Sequence, residues 1–420
     1  MSAGSSTPEP TAISVPLDAP PTRPDPHLWI NIWTLAATIF CTLTCVFSWW
    51  RVASPYLRSL GASDREISWL FLILMFAGRV PAAAGGWISD RIGRKSVIIF
   101  STVTMGISFI GVAFAPTPGL VTAAIGLAWV FGSFQHSSLL AIQAESVPVA
   151  RRGIAIATVE SCAMAGITLG PLIEAKVFEW SGSLAATWRL LALVTSATYL
   201  LVGVARITFL RETDRRRAER TPFKFDTRRL ALPLAITVLF WTASYLTIDG
   251  PSVALYLKDV TRGNEATVGY VNFMGGAAAI AAAILGGWLA DAWGAARVMA
   301  VSAMGTALVL LPFGIPGSTP GLDRALFSLV FFPIEMFFIA NAKFISSIGP
   351  PGRRGLYVGI VSTAQGLLAS WGVVLSGYLY AGAGRASPMV AAAGFAILAG
   401  LLTLVLLRLA RGARDPGHLA

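Results

Sequence analysis

Among the polar side chains inside stretches otherwise built from apolar residues are Arg51, Arg79, Gln135, His136, Glu160, Asp249 and Glu335. An ionisable group at the centre of a membrane helix costs about 2.5–3.5 kcal/mol, and such groups usually face a helix-bundle interior or a water-filled path. The chemistry they offer is binding and proton transfer. An arginine holds an anion or pairs with an acid. A carboxylate taken out of water is penalised in its charged form, which suits Glu160 and Glu335 to carrying a proton. His136, with Gln135 beside it, is a second candidate, because imidazole titrates near neutral pH; core hydrogen bonding explains it equally simply. Arg79 lies eleven residues before Asp90, roughly 16 Å along one helix. At 100° per residue Arg79, Gly86 and Asp90 share a face within about 40°. Arg79 therefore reads as an anion site or as the partner of an acid such as Glu160. Arg51 and Asp249 occupy similar places late in their stretches and read as an outer gate that closes when they meet.

A second group of charges marks the ends of these stretches. Asp90, Arg91, Arg94 and Lys95 form one cluster, Glu145 with Arg151 and Arg152 another, and Asp291 and Arg354 recur in the second half of the chain. Carboxylates there can accept charge-assisted hydrogen bonds from basic groups or from helix ends. The expected role of Asp90, Arg91, Arg94, Glu145, Arg152, Asp291 and Arg354 is a cytoplasmic gate; the simpler reading is that they anchor helix ends at the lipid headgroups. Lys343 is expected to reach toward water.

The elements that must position these residues follow from composition. Of 420 residues 55% are hydrophobic and only 13% charged, where a soluble domain runs near 25% charged. Too little charge is present to cover a water-facing surface, so lipid is the expected solvent. Apolar stretches occur at 30–55, 67–89, 96–115, 119–145, 154–178, 187–210, 230–257, 267–290, 297–315, 325–347, 356–381 and 387–408. Each is near the ~20 residues that span a ~30 Å hydrocarbon layer. The net charge of +11 gathers between the stretches, above all at Arg211, Arg215, Arg216, Arg217, Arg220, Lys224, Arg228 and Arg229. That distribution argues for membrane topology and against a nucleic-acid partner. Basic residues between the stretches and at their ends favour one side 20 to 8, which places both termini in the cytoplasm. Trp49, Trp50, Tyr56, Trp188, Trp241, Trp293 and Trp371 lie mostly near stretch ends and are expected at the headgroups, with a cavity lining beside Arg51 as the alternative for Trp49 and Trp50. Cys41, Cys45 and Cys162 read as small buried hydrophobes.

The two halves repeat. Gly85-Gly86-Trp87-Ile88-Ser89-Asp90-Arg91-Ile92-Gly93-Arg94-Lys95 is echoed by Gly286-Gly287-Trp288-Leu289-Ala290-Asp291-Ala292-Trp293-Gly294-Ala295-Ala296-Arg297, with the aspartates 201 residues apart. Arg151-Arg152-Gly153 and Arg353-Arg354-Gly355 are offset by 202. An even number of spans per half makes the repeats parallel, related by an axis along the membrane normal.

The segment from Gly86 to Lys95 resembles the signature between the second and third helices of the major facilitator superfamily. Ala144-Glu145 through Pro148 to Gly153 resembles the segment that joins that family's fourth and fifth helices. The second copy departs from the pattern where Ala292 replaces the basic residue. The resemblance implies an all-α membrane protein of twelve transmembrane helices in two pseudo-symmetric six-helix bundles, working by alternating access. Its expected parts are a tail at 1–28, a bundle at 29–210, a basic linker at 211–229, a bundle at 230–410 and a tail at 411–420. Gly166-Ile167-Thr168-Leu169-Gly170-Pro171 is similar to part of the signature of drug/proton antiporters, with Ala157 at the first glycine position and Glu174-Ala175 at the last pair. The leading expectation is proton-coupled export of a drug-like or amphiphilic metabolite; the alternative is uptake or exchange of an organic anion through Arg79 and Arg51. No cofactor or metal is expected, the proton is the expected coupling ion, and lipid, a small-molecule substrate and monomeric function complete the reading. No nucleotide loop, metal-ligand cluster or nucleophile arrangement supports an enzyme.

Overall fold

The structure, a computed structural model, describes residues 29–147, 152–213, 227–315, 317–348 and 354–412. The tail at 1–28, most of the basic linker and most of the tail at 411–420 lie outside the described residues, as do the side chains of Asp90, Arg152 and Arg354. Every described element is helical. In chain order they are α1 (Trp29–Trp50), α2 (Ala53–Ser59), α3 (Asp64–Ala77), α4 (Ala82–Ile92), α5 (Arg94–Phe114), α6 (Pro118–Glu145), α7 (Arg152–Ser181), α8 (Leu184–Phe209), α9 (Thr227–Leu246), α10 (Ser252–Asp259), α11 (Glu265–Leu289), α12 (Ala295–Leu310), α13 (Pro320–Ile348), α14 (Arg354–Ala369), α15 (Trp371–Gly382) and α16 (Ser387–Gly412). Eight stretches among the described residues are long and apolar enough to cross a membrane. The chain is an all-α, multi-span membrane protein.

Four of the expected stretches are broken. The 30–55 stretch is α1 and α2, 67–89 is α3 and α4, 230–257 is α9 and α10, and 356–381 is α14 and α15. Three breaks have the same cause. Pro55, Pro81 and Pro251 have no N–H to give the carbonyls of Arg51, Ala77 and Thr247 one turn back, so the helical ladder is interrupted there. Replacement bonds are tighter: Arg79 N–H donates to the Phe76 carbonyl at 3.1 Å and Gly250 N–H to that of Thr247 at 3.1 Å. The fourth break has no proline. Ser370 Oγ donates back to the Gly366 carbonyl, a bond that competes with the ladder and bends helices.

The internal repeat is visible in the backbone. Gly93 and Gly294, 201 residues apart, both adopt positive φ, 105° and 90°, with ψ of 146° and 138°. Each ends one helix and starts the next at the far side of the aspartate motif. The copies differ just before that turn: α4 runs regularly into Gly93, whereas α11 passes into a π-helical turn over Ala290–Gly294.

Buried apolar residues gather by chain half. One cluster holds Trp49, Phe109 and Trp188, another Phe240, Phe327 and Phe337. In lipid there is little hydrophobic force between helices, so small residues that allow close packing matter more. Gly170 of α7 is one: a Cβ there would lie 2.7 Å from the Phe47 carbonyl carbon of α1. Large apolar side chains point outward instead, among them Leu201 at 71% exposure, Ile284 at 73% and Leu308 at 72%. Such a surface suits lipid and not water.

The aromatic expectation needs correction. Trp49 and Trp188 are fully buried and Trp50 and Tyr56 nearly so. Trp49 packs edge-on to Trp188 at 5.3 Å, and Tyr56 stacks on Trp188 at 4.1 Å. The Trp49 indole N–H donates to Thr195 and that of Trp188 to the Val112 carbonyl, both at 3.1 Å, so these rings need no headgroup partner. Only Trp293 and Trp371 of the set are well exposed.

Gly93→Ala and Gly294→Ala are each expected to destabilise the protein by about 1–3 kcal/mol, because L side chains avoid this backbone region. Gly119→Ala, at a site with open space and ordinary φ, serves as control. Thermal unfolding in detergent should show a lower midpoint for the first two and not the third.

Candidate functional site

The helix breaks put charge where the chain halves meet. Arg51 occupies the α1–α2 break and Asp249 the α9–α10 break, and both line one cleft with Ser54, Phe71, Gly250 and Asn272. They do not pair directly. An Arg51 Nη donates to the Ile248 carbonyl, its Nε is buried without a hydrogen-bond partner, and its guanidinium lies 5.6 Å from the Phe47 ring centroid and 5.9 Å from that of Phe331. Asp249 accepts instead from Ser244 Oγ at 2.6 Å. Glu335, half-buried on α13, lies within electrostatic reach of Asp249. Two acids and one arginine therefore share this region, and neither acid forms an ion pair among the described residues.

Arg79 occupies the α3–α4 break, half-buried. It packs on Gly366 of α14, where a Cβ would come 3.3 Å from its Cδ and Nε. Tyr245 of α9 and His136 of α6 are within its electrostatic reach. The two do not share its burial: Tyr245 is buried, and His136 is exposed on its helix. Among the described residues no carboxylate pairs with Arg79, and Glu160, exposed on α7, is not its partner.

Gln135 belongs to a different place. It is buried between α5 and α6, its Oε1 accepting from Arg206 at 3.0 Å and from Thr102 at 3.2 Å. Arg206 of α8 is only 1% exposed and also donates to Thr102 at 2.6 Å and to Thr38 at 3.3 Å. This arginine ties α8 to α1, α5 and α6 through neutral oxygens. Sequence reasoning passed over it because it sits just before the basic linker and reads as one more headgroup residue.

Among the described residues the ion pair that joins the chain halves is Arg58 with Asp259, not Arg51 with Asp249. Arg58 Nη1 donates to Asp259 Oδ2 at 2.8 Å, and its Nη2 bonds Asp64 Oδ1 at 2.6 Å. Asp259 accepts further from the Tyr380 hydroxyl at 2.9 Å. Arg58 and Asp259 are 201 apart, the offset of the repeat, which was the available signal. Around them Ser54 donates to the Pro251 carbonyl at 2.9 Å, the Arg65 guanidinium lies 5.1 Å from the Tyr378 ring centroid, and the Tyr270 hydroxyl donates to Glu179 at 2.7 Å. Lys176 and Tyr270 together hold the Glu179 carboxyl below the usual carboxylate range by hydrogen bonding its charged form. All these contacts lie toward the end where α2 and α10 stop, hereafter the sealed end.

At the opposite end the described ion pairs stay within one half. Arg94 pairs with Glu145, which also accepts from Thr213 at 2.6 Å. Glu212 accepts the first backbone N–H groups of α5, those of Arg94 and Lys95, at 3.0 and 3.1 Å, where the helix dipole favours an anion. Arg91 lies 3.5 Å over the Trp87 ring. Lys343 pairs with Asp291 and donates to the Ala290 carbonyl at 2.9 Å, so it does not simply reach for water; it supplies the base that Ala292 lacks. Among the described residues these clusters brace each half and do not clamp the halves together. Gates built on Asp90, Arg152 and Arg354 lie outside the described residues.

Charges in proline-made helix breaks, inside a multi-span helical protein with a repeated half, suit a carrier that moves a solute between its halves. The sequence profile of the Major Facilitator Superfamily matches residues 34–250 and 234–418, and the chain belongs to that family of secondary transporters. It is similar to the multi-drug resistance efflux pump PmrA homolog of Lactococcus lactis, 24% identical over 66% of this chain and 70% of that one. It is also similar to the multidrug resistance protein MdtG of Proteus mirabilis, 25% identical over 62% and 67%. In fold it resembles a bacterial homolog of the human lysosomal transporter Spinster, in an inward-facing and occupied conformation, with a TM-score of 0.73, 15% identity and coverage of 91% and 97%. A D-xylose-proton symporter gives a TM-score of 0.69 at 17% identity over 90% and 96%.

Asp259→Asn removes a charged acceptor shared by Arg58 and Tyr380 and should loosen the sealed end. A cysteine at Ser54, buried there, should then react severalfold faster with a polar thiol reagent. Asp291→Asn, at the other end, should leave that rate unchanged.

Proposed function

We propose that this chain is a proton-coupled exporter of drug-like or amphiphilic metabolites, working by alternating access. The observation that carries the reading is the closeness of two acids, Asp249 and Glu335, near a helix break and beside the half-buried Arg51, with no cation bonded to either among the described residues. A carboxyl placed like that of Glu335 exchanges protons more readily than it holds a fixed salt bridge, because an uncompensated carboxylate in a partly dry site is costly. The names of the relatives, efflux pumps and multidrug resistance proteins, support export.

In this reading the chain crosses the membrane twelve times. The α3–α4, α9–α10 and α14–α15 pairs each cross once, and the long apolar stretch at 265–314 crosses twice. Residues 29–210 and 230–410 form two six-helix bundles joined by the linker at 211–229, and the protein acts as a monomer. The excess of basic residues places both termini in the cytoplasm, so the sealed end faces outward and the opposite end is open to the cytoplasm. Substrate enters between the halves from the cytoplasm and meets Arg51, Arg79, His136 and the two acids near the breaks. Protonation of Glu335 from outside and its release inside then drive the exchange. Asp90, Arg152 and Arg354 complete the cytoplasmic gate when that end closes.

A second reading is favoured by one observation: Arg79 has no carboxylate partner among the described residues. Together with Arg51 it would bind an organic anion for uptake or exchange. Purified protein in proteoliposomes distinguishes the two, using imposed pH gradients and a panel of cationic, neutral and anionic solutes. Export coupling predicts gradient-dependent flux of cationic or neutral amphiphiles that Glu335→Gln abolishes while solute exchange without a gradient persists. Flux confined to anions and lost in Arg79→Gln establishes the second reading, and flux indifferent to the gradient overturns the first.

A further inference from the structure

Glu174 stands apart from every site above. It lies on α7 three residues beyond Pro171 and is 1% exposed, and neither carboxylate oxygen has a hydrogen-bond partner. Its place is the seam between α7 and α11, where the chain halves touch on the sealed side. Gly269 of α11 makes the room: a Cβ there would lie 2.6 Å from Glu174 Oε2 and 2.4 Å from the Pro171 carbonyl oxygen. Two turns deeper, Gly276 of α11 approaches Thr168 of α7 in the same way.

The charged groups around the seam are all engaged elsewhere. On α11, Glu265 lies within electrostatic reach of Glu174 but is paired with Lys258 of α10. Tyr270 of α11 and Lys176 of α7 both bond Glu179 at the exposed rim. From α1, Arg51 is turned to the Ile248 carbonyl, and Cys45 donates to Thr198. On α8, Arg189 lies over the Phe114 ring. On α6, Glu145 is held by Arg94 at the opposite end. Among the described residues Glu174 thus meets a like charge and no cation. An ionised carboxylate does not persist in such a place; a neutral acid does.

We propose that Glu174 is a proton-binding site of the α7–α11 seam, separate from Glu335 and Asp249, whose carboxyl is protonated while the seam is shut and ionises when it parts. Opening the sealed end brings water to the carboxyl, the O–H bond breaks, and the proton passes to that water. The carboxylate left behind has its hydration only while the seam stays open, so reprotonation must precede closing. Alkaline conditions on that side therefore favour the open seam and acidic conditions the shut one. The same site makes the outward-open state hard to leave until a proton has arrived.

The test is a distance across the sealed end, read by double electron–electron resonance between spin labels at Trp180 and Leu322, with Cys41, Cys45 and Cys162 replaced. In the parent the open-to-shut ratio should rise by up to about tenfold per pH unit across the transition, the limit for one proton. Glu174→Gln should hold the seam shut at every pH. Glu265→Gln, which removes the neighbouring charge and frees Lys258, should keep the transition and move its midpoint to lower pH. A parent distance that ignores pH, a Glu174→Gln protein that still follows it, or an unmoved midpoint in Glu265→Gln overturns the proposal. Glu335→Gln should retain the transition even as it loses coupled transport, so failure of the export reading and failure of this one are told apart.

Discussion

A helix in hydrocarbon must satisfy its own backbone, and this protein violates that rule where its halves meet. Non-helical backbone at membrane depth is tolerated only when buried in protein or lining a cavity. Pro55, Pro81 and Pro251 each leave a carbonyl without its helical donor, and Ser370 disturbs a fourth helix by bonding back to Gly366. The resulting breaks hold Arg51, Arg79 and Asp249. A neighbouring carbonyl in the α9–α10 break is used at once, since Arg51 donates to that of Ile248. The placement of these charges is thus a consequence of the breaks: without the local loss of helix, they would sit on regular faces and compete with lipid.

The same constraint explains the unequal ends. Arg58, Asp259, Tyr380, Ser54 and the rim group of Glu179, Tyr270 and Lys176 join the halves on the sealed side. On the other side Arg94 with Glu145 and Lys343 with Asp291 brace single halves. Surface ion pairs contribute little individually, about 0–1 kcal/mol, so the seal is a sum of modest bonds and close glycine contacts. A seal of that kind can be shut yet still open reversibly.

Much of the frame was legible in sequence, because apolar length and a repeated motif survive without any knowledge of packing. The 201-residue offset that located Asp90 and Asp291 also located two glycines whose backbones match. Arg51 and Asp249 were brought to one cleft as the repeat implied, but which atoms pair across it depends on sub-ångström placement that spacing does not encode. The prolines that make the breaks were in plain view; their meaning needed the carbonyl four residues back. Trp49 and Trp188 were misread as headgroup residues because position along a helix does not reveal which side faces a neighbour. Gln135 was misread for the same reason: its partner Arg206 is 71 residues away in sequence. Glu174 was noticed only as a departure from a motif. Its isolation became visible when α11 was seen to present a glycine to it.

The central claim is that the two halves move as bodies about these breaks, so that one end closes as the other opens. Ile92 and Trp293 are repeat-related and exposed at the end opposite the sealed one; Trp180 and Leu322, also exposed, flank the sealed end. Spin-label distances for both pairs, measured in lipid with and without a transported solute, test it directly. The account predicts opposite changes, the first distance shortening as the second lengthens. Two distances that change in the same sense, or one that changes while the other stays fixed, would contradict it.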